Sequence, residues 1–373
     1  MKRGTKLLYK KIFAGLLGGG MLFMPNWSYA LPSGGQVVTN NGTITAGGKV
    51  MDITGSGNVA IDWNSFNIAA DEIVNFKNMQ AVLNYVSGGS KSKIFGKLNG
   101  AGVNVFLVNP NGILFGKTAQ VNVGQLTAST RSLEKAALNS FNGSLSPLDA
   151  GGAANVKADI INLGKLKAGK LVLEGNNLSI IGADSLEVTD KSKITLRAGE
   201  NINIGYEVTD KTTIDVGDGK GNTHQVSDYG KGGGDKASDV LSTASVTDLK
   251  GSAKSINDAM LVHDVYELQA IDRNTGTING SSYVVGNYML TGDIDAGDTK
   301  NWNSGRGFDP IGRLNRTGNG VTGSFSGAFD GMGHSIQNLY IRQIGNQYDG
   351  YIGLFEGIGK GGSVGNVNMA GGH

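Results

Sequence analysis

The stretch NVFLVNPNGILFGKT, residues 104–118, holds the residues of this chain most easily taken for chemistry. It ends in Gly116-Lys117-Thr118, the close of a phosphate-binding loop. Such a loop needs a glycine five residues before Gly116, so that backbone amides can close on a phosphate. Position 111 is Asn, and Gly112 stands one place too late. The AQVNVGQL that follows reads as strand where the loop needs a helix. The spacing argues against phosphate binding.

The remaining candidates are equally thin. Gly361-Gly362-Ser363-Val364-Gly365 fits a nucleophile elbow, yet no strand-to-helix context accompanies it, and 61 glycines make chance matches expected. His224, His263, His334 and His373 lie far apart in unlike segments, and there is no Cys. Neither a zinc set nor a triad is expected. Asp293, Asp295 and Asp298 could offer oxygens to calcium, but read first as a solvated acidic turn. Asn41, Asn142 and Asn177 head weak three-residue glycosylation patterns. The chain is therefore read as no enzyme, with no catalytic residue, metal site or cofactor.

What survives is the turn itself. Asn at the first position, Pro at the second and Gly at the fourth specify a type I turn. Pro110 presets its own φ, and the Asn109 side chain can bond the backbone just ahead. Val103, Val105 and Leu107 alternate before the turn, Ile113 and Phe115 after it. This predicts a tight corner between two strands.

The elements that must position the corner follow from composition. The chain has 373 residues, with 61 Gly, 5 Pro and 17% charged residues. Glycine without a Gly-X-Y period, set between Val/Ile/Leu phrases, implies many short strands joined by turns. Residues 1–30 stand apart: five basic residues precede an apolar run from Ile12 to Met24, and Ser28-Tyr29-Ala30 supplies small residues for cleavage between Ala30 and Leu31. That run is short for a membrane span, so a removed signal peptide is expected rather than an anchor. The whole chain carries 33 basic and 31 acidic residues, and without the leader 28 and 31, a net of −3. Nothing in this balance points to nucleic acid.

A repeat then appears. LVLEGNNLSI begins at Leu171 and ITLRAGENINI at Ile194, 23 residues on, with one extra residue at the turn so that the second halves stand 24 apart. Self-similarity at this period with strand patterning points to a β-solenoid. A β-sandwich also gives short strands at regular spacing. STRSLEKAALNSFNGS, 129–144, breaks the pattern; Leu133, Ala136 and Ala137 predict a short helix packed outside the rod. Residues 209–255 are polar and Gly-rich and read as a linker. In INDAMLVHDVYELQAI, Leu261, Val265, Leu268 and Ile271 predict another short helix, after which strand phrases return. Residues 256–373 thus form a further region, ending at His373 without an evident cap, as the start of a longer passenger would.

LPSGGQVVTNNGTI, DWNSFNIAADEIVNF, AVLNYVSGGSKSKIFGKL, NVFLVNPNGILFG and AQVNVGQLTAST, taken in order, resemble the two-partner secretion domain of filamentous haemagglutinin-like exoproteins. The resemblance runs from Leu31 to about Thr130, and more loosely to about Gly205, within a domain drawn at 31–208. It implies a right-handed parallel β-helix with an N-terminal cap, exported across the outer membrane by a dedicated barrel transporter after passage through the periplasm. The family's Asn-Pro-Asn-Gly-Ile secretion motif matches Asn109, Pro110, Asn111, Gly112 and Ile113. A second motif of many members, Asn-Pro-Asn-Leu, is absent; FKNMQAVLN stands in that neighbourhood. GFDPIG, GSFSGAFDGMGHSIQNLYI and YIGLFEGIGKGGSVGNVNM resemble GLUG-type repeats of surface adhesins, over about 283–369. The implied product is a secreted, surface-associated adhesin with host-cell or surface glycan or protein receptors. The alternatives are a β-helical polysaccharide-active enzyme, or the export module of a haemolysin or contact-dependent toxin.

Overall fold

The computed structural model describes residues 31–208, 211–215, 223–227, 235–252, 255–313, 315–317, 320–342 and 352–372. The leader and its cleavage point at Ala30 fall outside the described residues, as do most of the polar positions of 209–234.

The repeat read from the sequence is the repeat of the fold. Leu171 pairs with Ile194 and Leu173 with Leu196 in a parallel ladder. Leu178 pairs with Ile202 and Ile180 with Ile204 in the next. The extra residue is taken up at the corner, where Gly199 N–H bonds Gly175 O at 3.0 Å. Each coil thus lays one strand on each of two sheets. Among the described residues, a broad sheet has 13 strands and a second sheet has nine, running from Ser92–Ile94 to Ser363–Gly365. The second is called here the motif sheet.

Every ladder of the motif sheet is parallel. The broad sheet departs from this at its first end. Gln36–Val37 runs antiparallel to Asn58–Trp63, and Gly42–Gly47 forms a hairpin with Val50–Gly55. These pairs cover a strand edge that a stack of coils would otherwise leave open. Trp63 and Phe66 fill that end, ring edge to face, with centroids 5.5 Å apart. Gly35 lies on the Trp63 ring, and a Cβ there would come within 2.4 Å of it.

Inward side chains make one continuous core. Ile53, Val59, Val74, Leu98, Val105, Ile113, Leu126, Ile160, Leu171, Ile194 and Ile202 belong to it. Each contributes roughly 1.5–3 kcal/mol by burial, and with no cysteine in the chain no disulfide adds to this. Polar side chains stack likewise: Asn99 donates to Asn75 at 3.1 Å, and Asn75 to Asp52 at 2.8 Å.

Three sequence readings change. The excursion carries a helix at Lys135–Asn139, but Leu138 and Phe141 anchor it against Ala60, Leu83 and Val108, while Ala136 is exposed. Within the segment read as linker, Ser245–Asp248 is a strand that pairs with Ile194–Ala198 and extends the broad sheet. The helix expected over 256–271 is confined to Val265–Ala270, because Ile256–Val262 is a strand of the motif sheet. Asp264 starts that helix by accepting from Tyr266 N at 2.9 Å and Glu267 N at 2.8 Å.

Beyond Val262 the strands Asn287–Leu290, Ala328–Asp330 and Ser363–Gly365 stack on the same motif sheet. Tyr288, Leu290 and Phe329 from these strands, with Phe325 just before one of them, belong to a second core. One sheet therefore serves two cores.

Candidate partner-recognition corner

The corner at Asn109 to Ile113 joins the two sheets, between the strands Lys97–Val108 and Ile113–Phe115. Gly112 N–H donates to Asn109 O at 3.1 Å, closing the predicted four-residue turn. The Asn109 side chain is fully buried, and every polar atom of it works. Its Oδ1 accepts from Asn111 N at 2.9 Å, and its Nδ2 donates to Ser90 O at 3.0 Å and Ser92 Oγ at 2.9 Å. A hydrophobic residue here would strand buried partners, and a larger amide would not fit the same three bonds.

The corner is fastened to the coils on both sides. Gly112 O accepts from Ser92 N at 3.0 Å, and Ile113 N donates to Asp159 O at 3.1 Å. Gly112 has φ +108°, and a Cβ on it would press on Asp159 O at 3.2 Å. Ile113 and Phe115 point into the core and are fully buried. The motif therefore divides in two. Asn109, Gly112 and Ile113 build the corner; Pro110 is half-buried and Asn111 is exposed. Asn111 is held in place by its Nδ2 bond to Gly88 O at 2.7 Å. Only these two offer side-chain surface to a partner.

Thr118 Oγ1 donates to Phe95 O at 2.7 Å, and the strand Gln120–Ser129 follows where a phosphate loop would have a helix. The acidic turn is split between separate partners. Asp293 accepts from Ser335 N at 2.9 Å, and this bond foremost holds its carboxyl below the usual range. Asp295 is lowered chiefly by Asn338, which donates at 3.0 Å. Among the described residues no three His, Asp or Glu are grouped to hold a metal ion.

A buried charge cluster close to the corner went unread in the sequence. Glu174 is 1% exposed; it pairs with the Arg131 guanidinium and, at 3.1 Å, with Arg197. Arg131 also donates to Ser146 O at 2.7 Å, which ties the chain just past the excursion onto the rod. The signal was present. In the 23-residue alignment Glu174 stands opposite Arg197, opposite charges on neighbouring coils.

Residues 28–282 match the family model described as the TPS secretion domain, well over half of the chain. A heme/hemopexin-binding protein of Haemophilus influenzae is 34% identical over 177 residues, which is 46% of this chain and 19% of that protein. Halomucin of Haloquadratum walsbyi is 28% identical over 255 residues, 68% of this chain and 2% of its own length. The chain thus spans under a fifth of either relative. The crystal structure of the HMW1 secretion domain from Haemophilus influenzae aligns over 91% of this chain and 99% of its own, at 15% identity and a TM-score of 0.34. With the family model covering the coils from the capped end to beyond the corner, the chain belongs to the TPS secretion-domain family, whose domain is the export module of two-partner secretion.

Proposed function

We propose that this chain is the N-terminal part of a secreted surface exoprotein of adhesin type, and that Pro110 and Asn111 are read by an outer-membrane barrel transporter. The match to the secretion-domain family over residues 28–282 carries this reading. The exposed half of an otherwise buried corner supplies a contact surface of fixed shape. Residues 1–30 act as the leader to the periplasm, and the chain reaches the cell surface through its transporter. The GLUG-like phrases of 283–369 support adhesion to a host-cell or surface receptor rather than catalysis.

The test is co-expression of the full chain with the candidate barrel transporter and measurement of processed protein in the medium. Export that requires the transporter, and falls for Asn111→Ala while the chain stays folded, supports the reading. Equal export with and without the transporter overturns it. The passenger's role is tested separately, by adhesion of the secreted chain to host cells and by its activity on acidic polysaccharides.

A further inference from the structure

The outer side of the motif sheet closes on itself. Its strands run in the order Ile113–Phe115, Ile160–Asn162, Leu178–Ile180, Ile202–Tyr206, Ile256–Val262, Asn287–Leu290, Ala328–Asp330. Ser179 and Asp330 lie four ladder steps apart, which in a flat stack is roughly 19 Å at about 4.8 Å a step. Yet Ser179 Oγ donates directly to the Asp330 carboxylate, with both residues buried. The sheet must curl sharply to allow this.

The bend lies in Ile256–Val262. Residues 256–260 pair with the coil before, and 260–262 with the coil after, so the later strands are shifted along the earlier ones. Side chains that a solenoid would leave in water then meet. Ile161, Ala259, Leu261, Met289 and Met332 form a buried apolar cluster, with Leu114, Leu163 and Ile181 packed against it. Gly205 leaves the room for this; a Cβ there would come within 2.3 Å of Leu261. Lys117 reaches the same seam, its Nζ 2.6 Å from where a side chain on Gly292 would begin.

Leu114 directly follows the Asn109–Ile113 corner. Without the coils beyond Ile256, the outer face at Leu114, Ile161, Leu163 and Ile181 would be an exposed apolar patch beside it, of the kind that marks an interaction surface. Its occupant is already in the structure: Leu261, Met289 and Met332 of the same chain. Two of these three are Met, whose flexible side chains suit docking that can be made and undone.

We propose that the coils after Ile256 are a self-docking clasp, which masks the outer face next to the secretion corner once they have folded. The transporter then engages this face only on chain whose later coils are still unfolded or undocked. Masking rests on the export reading above; the clasp itself does not.

The native chain has no Cys, so Ser179→Cys with Asp330→Cys in the full chain gives an unambiguous cross-link. Rapid intramolecular cross-linking in monomer is expected, and its absence overturns the clasp. The cross-linked chain should bind the purified periplasmic part of the transporter at least tenfold more weakly than its reduced form. Met332→Lys, which opens the clasp without touching the face it covers, should bind at least as well as wild type; Met332→Leu should behave as wild type. Equal binding by locked and reduced chains, with Asn111→Ala still impaired, overturns masking and leaves recognition standing. Failure of every form to bind, the opened one included, overturns masking together with the export reading, while the cross-link still decides the clasp.

Discussion

Ser179 and Asp330 share a buried hydrogen bond although 151 residues separate them. Asp330 is committed on its other oxygen as well, accepting from Met332 N at 2.9 Å and Asn366 Nδ2 at 3.1 Å. The carboxylate thus fixes the turn that places Met332 in the apolar seam, and the seam fixes how the late coils lie on the early ones.

Gly205 is where that arrangement is most easily broken. Its missing side chain is the space that Leu261 occupies. Gly205→Val should cost about 1–3 kcal/mol by overpacking. Urea unfolding followed by tryptophan fluorescence reads this, since Trp302 sits in the second core and Trp63 in the first. A loss confined to the Trp302 signal would show that the late coils open alone.

The two asparagines of the corner should separate cleanly. Asn109→Ala leaves the buried Ser92 Oγ and the Asn111 backbone N–H without their partner and should lower stability by about 1–3 kcal/mol. Asn111→Ala sits at the surface and should change stability by less than about 1 kcal/mol. Both should lower export, Asn111→Ala with the smaller shift in the urea midpoint.

Glu174 holds two guanidinium groups in a place with little water. Glu174→Gln should be among the most damaging single changes, about 3–5 kcal/mol, because it leaves buried charge unpaired. Because Arg131 also holds Ser146, the 129–144 excursion and the chain just after it should become sensitive to protease in this variant, which limited proteolysis checks.

His263 gives the fold a pH dependence. Its ring nitrogens meet Glu267 at 2.8 Å and Glu207 at 3.0 Å. The hydrogen bond to Glu267 foremost, against the opposing effect of burial, raises its pKa from 6.5 to about 9. A folded-state pKa above the unfolded one means that stability is fully present below about pH 6.5 and is lost as pH rises through about 9. Wild type should therefore weaken between pH 7 and 10 relative to His263→Gln. Denaturation midpoints at several pH values across that range test this, and parallel curves would disprove it.

The coil period is legible in the amino-acid sequence alone. The 23- and 24-residue offsets between LVLEGNNLSI and ITLRAGENINI are the observed ladder registers, because a parallel stack forces equivalent residues to lie directly above one another. The corner was legible for the same kind of reason: Asn, Pro and Gly at fixed turn positions restrict φ locally and need no distant partner. Alternation around it likewise told which of Ile113 and Leu114 faces inward.

Tertiary structure decided everything that depends on long-range closure. Leu261 has helical spacing to Val265 and Leu268, yet it lies in a strand, because pairing with neighbouring coils satisfies its backbone and the seam buries its side chain. The polar run before Ser245 concealed a coil strand, since Ser245–Asp248 takes its register from Ile194–Ala198 and not from its own composition. Which half of the Asn-Pro-Asn-Gly-Ile corner is buried, and which is left for a partner, depends on Ser90, Ser92 and Asp159, residues of other coils. The meeting of Ser179 with Asp330 is the extreme case. Local pattern tells a strand which face is apolar; only the bend of the whole sheet tells it what that face will touch.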